Sequence, residues 1–255
     1  MNEYAHHQQV NKLKQYIVDL ELQVQKLEEE NHLLKNENEQ LKKKIEGRKR
    51  PKLLNDISKA TLESWWWEMT PAWQKALNHA VLGNGETVFI PSEKQLRKLF
   101  STTKLELVGT GILLFGLNQL SFKLEDCSGL QYFTNLKDLN ISGNAIKNLT
   151  GLEHLTQLEV LNCTSNKITT IQKIRHLKNL KTLIIRDNKL TTLSSIHHLK
   201  KLEYLDVLYN SRLKSLGRLG ELKELKTLII LDHKETIRQD LKLLLNNTTL
   251  EIKHY

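Results

Sequence analysis

Two cysteines and three prolines in 255 residues set the first limits. Cys127 and Cys163 stand far apart in sequence, and so small a thiol count suits a reducing compartment rather than a disulfide scaffold. Long apolar runs are missing too. The longest, GILLFGL at 111–117, is a core strand or short helix by length and falls well short of a membrane span. The first twenty residues, MNEYAHHQQVNKLKQYIVDL, lack a charged stretch followed by an apolar one, so no secretory signal is expected. A cytoplasmic chain is therefore expected, in which the sequons at Asn140, Asn148 and Asn162 carry no glycan. Phosphate-cradling loops are also lacking. GTGILLFG (109–116) has no strand–glycine–helix context, and GNGETVFIPS (83–92) has neither the lysine nor the hydroxyl of a P-loop. No paired carboxylates and no nucleophile–base spacing stand out, so the expectation is a protein that is not an enzyme and needs no cofactor.

Charge is present in excess but unevenly. The net charge is +9, and residues 129–255 alone hold 20 Lys/Arg against 12 Asp/Glu. Residues 1–46 hold 7 Lys against 9 Asp/Glu. The basic C-terminal half suits a lysine-rich solvated surface, or else acidic partners and polyanions.

Apolar residues in the first 46 positions fall on a heptad. Val10, Ile17, Val24, Asn31, Asn38 and Ile45 take a; Leu13, Leu20, Leu27, Leu34 and Leu41 take d. β-Branched residues at a with leucine at d favour two parallel strands. The flanks agree, since Glu30 would face Lys35, and Glu37 would face Lys42, across a parallel pair. The seam from Val10 to Ile45 would be ~54 Å long at ~1.5 Å per residue. Nothing basic precedes it, and the patch GRKRPK at 47–52 is broken by Gly47 and Pro51. That excludes the continuous basic helix of a zipper-type DNA reader and makes 47–55 a hinge. A parallel homodimer is expected through Leu13, Ile17, Leu20, Val24, Leu27, Asn31, Leu34, Asn38 and Leu41.

All four tryptophans lie between Trp65 and Trp73. DISKATLESWWWEMTPAWQKALNHAVLGNG reads as two helices, with Thr70 and Pro71 starting the second and Gly83 and Gly85 ending it. Trp66, Trp73, Leu77, Ala80 and Val81 share one face, whereas three consecutive rings cannot all point one way. The segment is either a cap on the next module or an aromatic peptide-binding patch. Ser92 N-caps a further short helix carrying Leu96, Leu99 and Phe100.

From Leu136 one phrase recurs. LKDLNISGNAI, LEVLNCTSNKI and LKTLIIRDNKL begin at Leu136, Leu158 and Leu180, followed by LEYLDVLYN at Leu202 and LKTLIILDH at Leu225. An imperfect earlier copy is expected from Leu117 through Leu120. This is the pattern L-x-x-L-x-L-x-x-N-x-L of leucine-rich repeats. In length and phrasing it resembles the 22-residue class shared by internalins and a phosphatase-regulating repeat protein, in a bacterial style. The resemblance covers residues ~117–233 and implies an α/β solenoid. The fold expected is a leucine-rich repeat arc with a helical N-terminal cap, preceded by a long coiled-coil helix. Its parts are 1–46 (coiled coil), 47–55 (basic hinge), 56–104 (Trp-rich adaptor and cap), 105–233 (repeats) and 234–255 (C-terminal cap). In each coil the inner leucines fill the core, and Cys163 sits in such a slot. Asn144, Asn166, Asn188 and Asn210 should satisfy backbone groups at the turns, and His233 breaks that ladder. TIRQDLKLLL should form a capping helix and TTLEIKHY a last strand.

Residues pointing out of the strands line the concave face. The C-terminal coils offer Ile184, Tyr204, Leu208, Ile229 and Leu231, with Arg186, Asp206 and Tyr209 around them. An apolar centre with an aromatic and charged rim is the composition of a binding hot spot. Either a protein partner binds there or the C-terminal helix folds over it. Lys137, Glu159, Lys181, Glu203 and Lys226 alternate beside the strands and suit cross-strand pairing. His154, His176 and His198 align one per coil, but no carboxylate or thiol joins them in a ligand pattern, so no metal is expected. The function expected is a non-catalytic protein–protein scaffold, dimeric, with no membrane attachment. Nucleic-acid or polyanion binding through the basic repeats and hinge is the alternative. A further one, resting on the resemblance, is the regulatory subunit of an enzyme.

Overall fold

The computed structural model describes residues 17, 20, 21, 23–29, 57–82, 91–109, 123–231, 235–245 and 250–254. The chain forms two units, Met1–Lys52 and Leu53–Tyr255.

In the first unit, residues 17, 20, 21 and 23–29 are helical and belong to helix α1. Ile17, Leu20, Val24 and Leu27 lie exposed on it, at 52, 41, 53 and 58 %. They are the a and d positions of the heptad. Leu13, Asn31, Leu34, Asn38 and Leu41 lie outside the described residues, as does the hinge 47–55.

The second unit begins with the cap helices α2 (Lys59–Glu68), α3 (Pro71–Leu77) and α4 (Glu93–Phe100). The Ser58 hydroxyl accepts the Thr61 amide at 3.2 Å and starts α2. Pro71 starts α3, and Thr70 stands at its N-cap position without a side-chain cap bond. Ser92 and Gln95 form a reciprocal capping box at α4. Trp65, Trp66 and Trp73 are buried with Leu62, Leu77, Leu96, Leu99 and Phe100. Trp67 is the tryptophan that the helix turns outward, 56 % exposed. Ala80 also faces out, contrary to the face assigned to it with Trp66 and Trp73. The reason is local: from Asn78 to Leu82 the helix widens into a π turn. A wider turn rotates each residue by less than the 100° of an α-helix, so the apolar register is lost. Gly83 and Gly85 lie outside the described residues.

Seven short parallel strands follow in sequential order. They are β1 (Lys104–Glu106), β2 (Asp138–Asn140), β3 (Val160–Asn162), β4 (Thr182–Ile184), β5 (Tyr204–Asp206), β6 (Thr227–Ile230) and β7 (Glu251–His254). Leu105, Leu139, Leu161, Leu183, Leu205, Leu228 and Ile252 lie in register across the sheet. The first six of these are buried and the seventh packs against the core edge. Opposite the strands, the coils bend through short 3-10 turns such as Gln172–Ile174 and Ile196–His198. Buried leucines from both sides close one continuous core. The cap joins this core through Trp65, whose ring lies 4.7 Å from Phe100 and 6.3 Å from Phe133. Strand β1 lies earlier than the first copy read from the sequence. The copy expected at 117–120 is outside the described residues, as is His233.

Helix α5 (Glu235–Leu245) and β7 finish the stack. Asp240 Oδ2 accepts the Leu216 amide at 2.9 Å and the Ser215 hydroxyl at 3.4 Å. Leu244 lies over Gly220, where an added Cβ would come within 3.3 Å of it. These contacts set α5 against residues 215–220, on the side of the coil away from the strands.

Candidate partner-binding face

Each repeat asparagine ties its own turn to the coil before it. Asn166 Nδ2 donates to Cys163 O at 3.1 Å within its coil and to Ile141 O at 3.0 Å in the previous one. Its Oδ1 accepts the Ile146 amide at 3.0 Å. Asn144, Asn188 and Asn210 repeat the arrangement, accepting from Leu124, Ile168 and Leu190. All four are buried, and the amides satisfy backbone groups that no water reaches. Cys163 fills a core slot, and burial pushes its thiol well above the ordinary range, as it does for Cys127. Both are unreactive packing groups in this setting.

Just before each asparagine the chain passes through the left-handed region. Gly143, Ser165, Asp187 and Tyr209 occupy that position with φ of 71, 53, 52 and 58°. Glycine adopts this conformation without strain, and serine or aspartate tolerates it, but tyrosine does so at a cost. Tyr209 is nonetheless 55 % exposed.

The outward rows are more closed at the C-terminal end than the alternation of side chains implies. Ile184, Arg186, Tyr204 and Leu231 are partly exposed. Leu208, Ile229 and Asp206 are buried, at 2, 6 and 3 %. Asp206 therefore does not belong to a solvated rim. Its Oδ1 accepts the Leu208 amide at 3.0 Å, and its Oδ2 pairs with the Arg186 guanidinium at 2.9 and 3.1 Å. Asn140 and Asn162 cap the amides two residues on in the same way. The signal for that role is in the sequence: Asn140, Asn162 and Asp206 each follow directly on the inward-facing Leu139, Leu161 and Leu205, two residues before the amide they cap, the spacing of an Asx turn. Once carboxylate and amides are used this way, the exposed part of the assigned cluster is Ile184, Arg186, Tyr204, Tyr209 and Leu231.

Beside the strands, Lys181 pairs with Glu159 at 2.7 Å and Lys226 pairs with Glu203. Hydrogen bonds from these lysines, then their charge, hold Glu159 and Glu203 below the usual carboxylate range. Lys104 pairs with Glu106 at 2.9 Å and with Asp138 at 3.7 Å. Of the aligned histidines, His154 and His176 are exposed and His198 is half-buried. Among the described residues, no group of three or more His, Cys, Asp or Glu is arranged to hold a metal ion. Nor is any described helix long and apolar enough to cross a membrane.

Parallel strands in register, an asparagine ladder and 3-10 turns opposite them define a leucine-rich repeat solenoid. The family model for leucine-rich repeats (two copies) matches residues 134–176 and again residues 178–220. Among solved structures, the chain is similar to an internalin (InlF) of Listeria monocytogenes. The identity is 23 % and the TM-score 0.49, over 72 % of this chain and 56 % of that one. The functional domain of InlJ from the same organism is 25 % identical, with a TM-score of 0.46, over 62 % of this chain and 30 % of that one. An internalin C2 of that organism is 19 % identical with a TM-score of 0.38, over 72 % of this chain and 93 % of that one. The chain thus spans about half of the first of these proteins and under a third of the second. A search of curated proteins gives no match.

Proposed function

We propose that the protein is a non-catalytic interaction scaffold that binds a protein partner on the concave repeat face and pairs with a second copy through α1. One observation carries the first half: Tyr209 stands 55 % exposed in a backbone conformation that disfavours it. A strained, exposed aromatic is costly to keep, and such outliers concentrate at binding sites. Tyr204, Ile184 and Leu231 add partly exposed apolar surface from the same set of outward residues, with Arg186, paired to Asp206, among them. The charge ladder favours a protein partner over a polyanion, because Lys181 and Lys226 are already paired with carboxylates. Support for pairing comes from the exposed seam of Ile17, Leu20, Val24 and Leu27, whose burial against a second helix would remove four large apolar side chains from water.

Two measurements test the two halves. Sedimentation equilibrium of the full chain at micromolar concentration should give a dimer, and a monomer would overturn the pairing. In crosslinking-coupled capture from the native cell extract, Tyr204→Ala with Tyr209→Ala should lose specific partners that Lys226→Ala keeps. Identical partner sets would overturn the concave site.

A further inference from the structure

On the side of the solenoid away from the strands, two adjacent 3-10 turns bring five basic groups together. Gln172–Ile174 is followed by Arg175, His176 and Lys178, and Ile196–His198 contributes His197 and His198. The groups are held in place by their own contacts. Lys178 Nζ donates to the His198 carbonyl at 3.0 Å, which ties one coil to the next. The His197 and His198 rings stack at 4.0 Å. His197 Nδ1 lies 2.9 Å from the Ser194 carbonyl, which can only accept, so Nδ1 carries the proton and Nε2 is turned away from that bond. Arg175 Nε donates to His176 Nε2 at 3.0 Å, and its two terminal amino groups make no hydrogen bond among the described residues.

None of these five side chains is paired with a carboxylate among the described residues. That sets them apart from Lys104, Lys181, Arg186, Lys200, Arg218 and Lys226, each of which has one. A carboxylate bounds the patch on one side. In the following coil Glu221 neutralises Lys200 and Arg218. The five groups sit on two adjacent turns joined by the Lys178–His198 contact, a footprint that suits one compact anion.

We propose that Arg175, His176, Lys178, His197 and His198 form a binding site for a compact dianion of the phosphomonoester type. Its guanidinium and ammonium donors supply charge-assisted hydrogen bonds, and the imidazoles complete the shell. The source is a phosphorylated side chain of a protein or free phosphate. The site is separate from the concave face and does not rest on the partner reading above. Partial burial, then the neighbouring His197, Lys178, Arg175 and His176, hold His198 below the usual histidine value. An anion seated among them would favour the charged imidazole, so binding would take up a proton.

The test uses the full chain at constant ionic strength. Inorganic phosphate at pH 7.5 should move the imidazole resonances of His197 and His198 saturably, where chloride does not. Arg175→Gln with Lys178→Gln should weaken that binding at least tenfold with an unchanged melting temperature. Sulfate, which keeps its charge on acidification, should bind more tightly at pH 5.8 than at pH 7.8 and lose that dependence in His198→Gln. A short phosphoserine peptide binding tenfold tighter than phosphate assigns the site to a phosphorylated partner; equal binding assigns it to the free anion. Shifts no larger than those from chloride, or full binding by the double variant, would overturn the proposal. So would a single-stranded oligonucleotide whose binding through these residues has a salt slope of many phosphates at ~0.7 each.

Discussion

Asn166 shows what one side chain contributes in a repeat. It accepts one buried amide and donates to carbonyls of two coils, so its removal orphans groups that water cannot reach. Asn166→Ala should cost ~3 kcal/mol, the penalty of one or two unsatisfied buried groups. The urea midpoint should fall with an unchanged slope. A loss below ~0.5 kcal/mol would mean that the ladder is decorative. Tyr209 makes the opposite case. Asparagine tolerates left-handed backbone better than tyrosine, so Tyr209→Asn should raise stability by ~1 kcal/mol while weakening partner capture. A variant that is destabilised would show that the ring packs usefully where it stands. The asparagines were legible in the sequence because each repeat prints one at the same place. The burial of Leu208, Ile229 and Asp206 was not, because alternation along a strand says which way a residue leaves the sheet and nothing about what lies over it.

At the scale of elements, the docking of the cap on the first coil turns on a glycine and a carboxylate. Gly129 lies under Trp73, and an added Cβ would fall 2.4 Å from the ring. Gly129→Ala must push the indole or the turn aside and should cost ~1–3 kcal/mol in thermal or urea unfolding, as overpacking does. The Trp73 indole N–H also donates to Asp126 Oδ1 at 3.2 Å. Burial works to raise the Asp126 pKa, but hydrogen bonds from Ser128 and Trp73 outweigh it and leave the carboxyl below its usual value. A folded-state value below the unfolded one gives stability that is present at neutral pH and lost as pH falls through the carboxyl's titration. Asp126→Asn should therefore lower stability at pH 7 and flatten the acid limb of the stability curve below about pH 4. An acid limb as steep as in the parent would assign it to other carboxylates. The repeats, the N-cap Ser92 and the closing helix and strand were all readable from periodicity and cap residues. Strand β1 and the π turn were not. Strand β1 stands outside the recurring phrase that reveals the equally short β2–β5, and a single π turn changes the angular step without changing composition.

Across the whole molecule, the pairing proposed above would let the heptad decide how many solenoids act together. The described part of α1 shows the a and d side chains Ile17, Leu20, Val24 and Leu27 exposed. The next two a positions along the sequence are Asn31 and Asn38. A buried amide at a lowers stability, yet it finds its partner only when two helices run parallel and in register. Two in succession would hold both repeat units at the same end of a pair, where two concave faces could engage a target that presents two sites. Asn31→Val with Asn38→Val should then raise the melting temperature of the pair while admitting trimers or shifted registers, seen as heterogeneous mass in sedimentation. Avidity for a two-site target should fall even though each solenoid binds a single site as before. A double variant that melts higher, remains strictly dimeric and keeps its avidity would show that the leucines alone set the register, and that the asparagines serve some other contact.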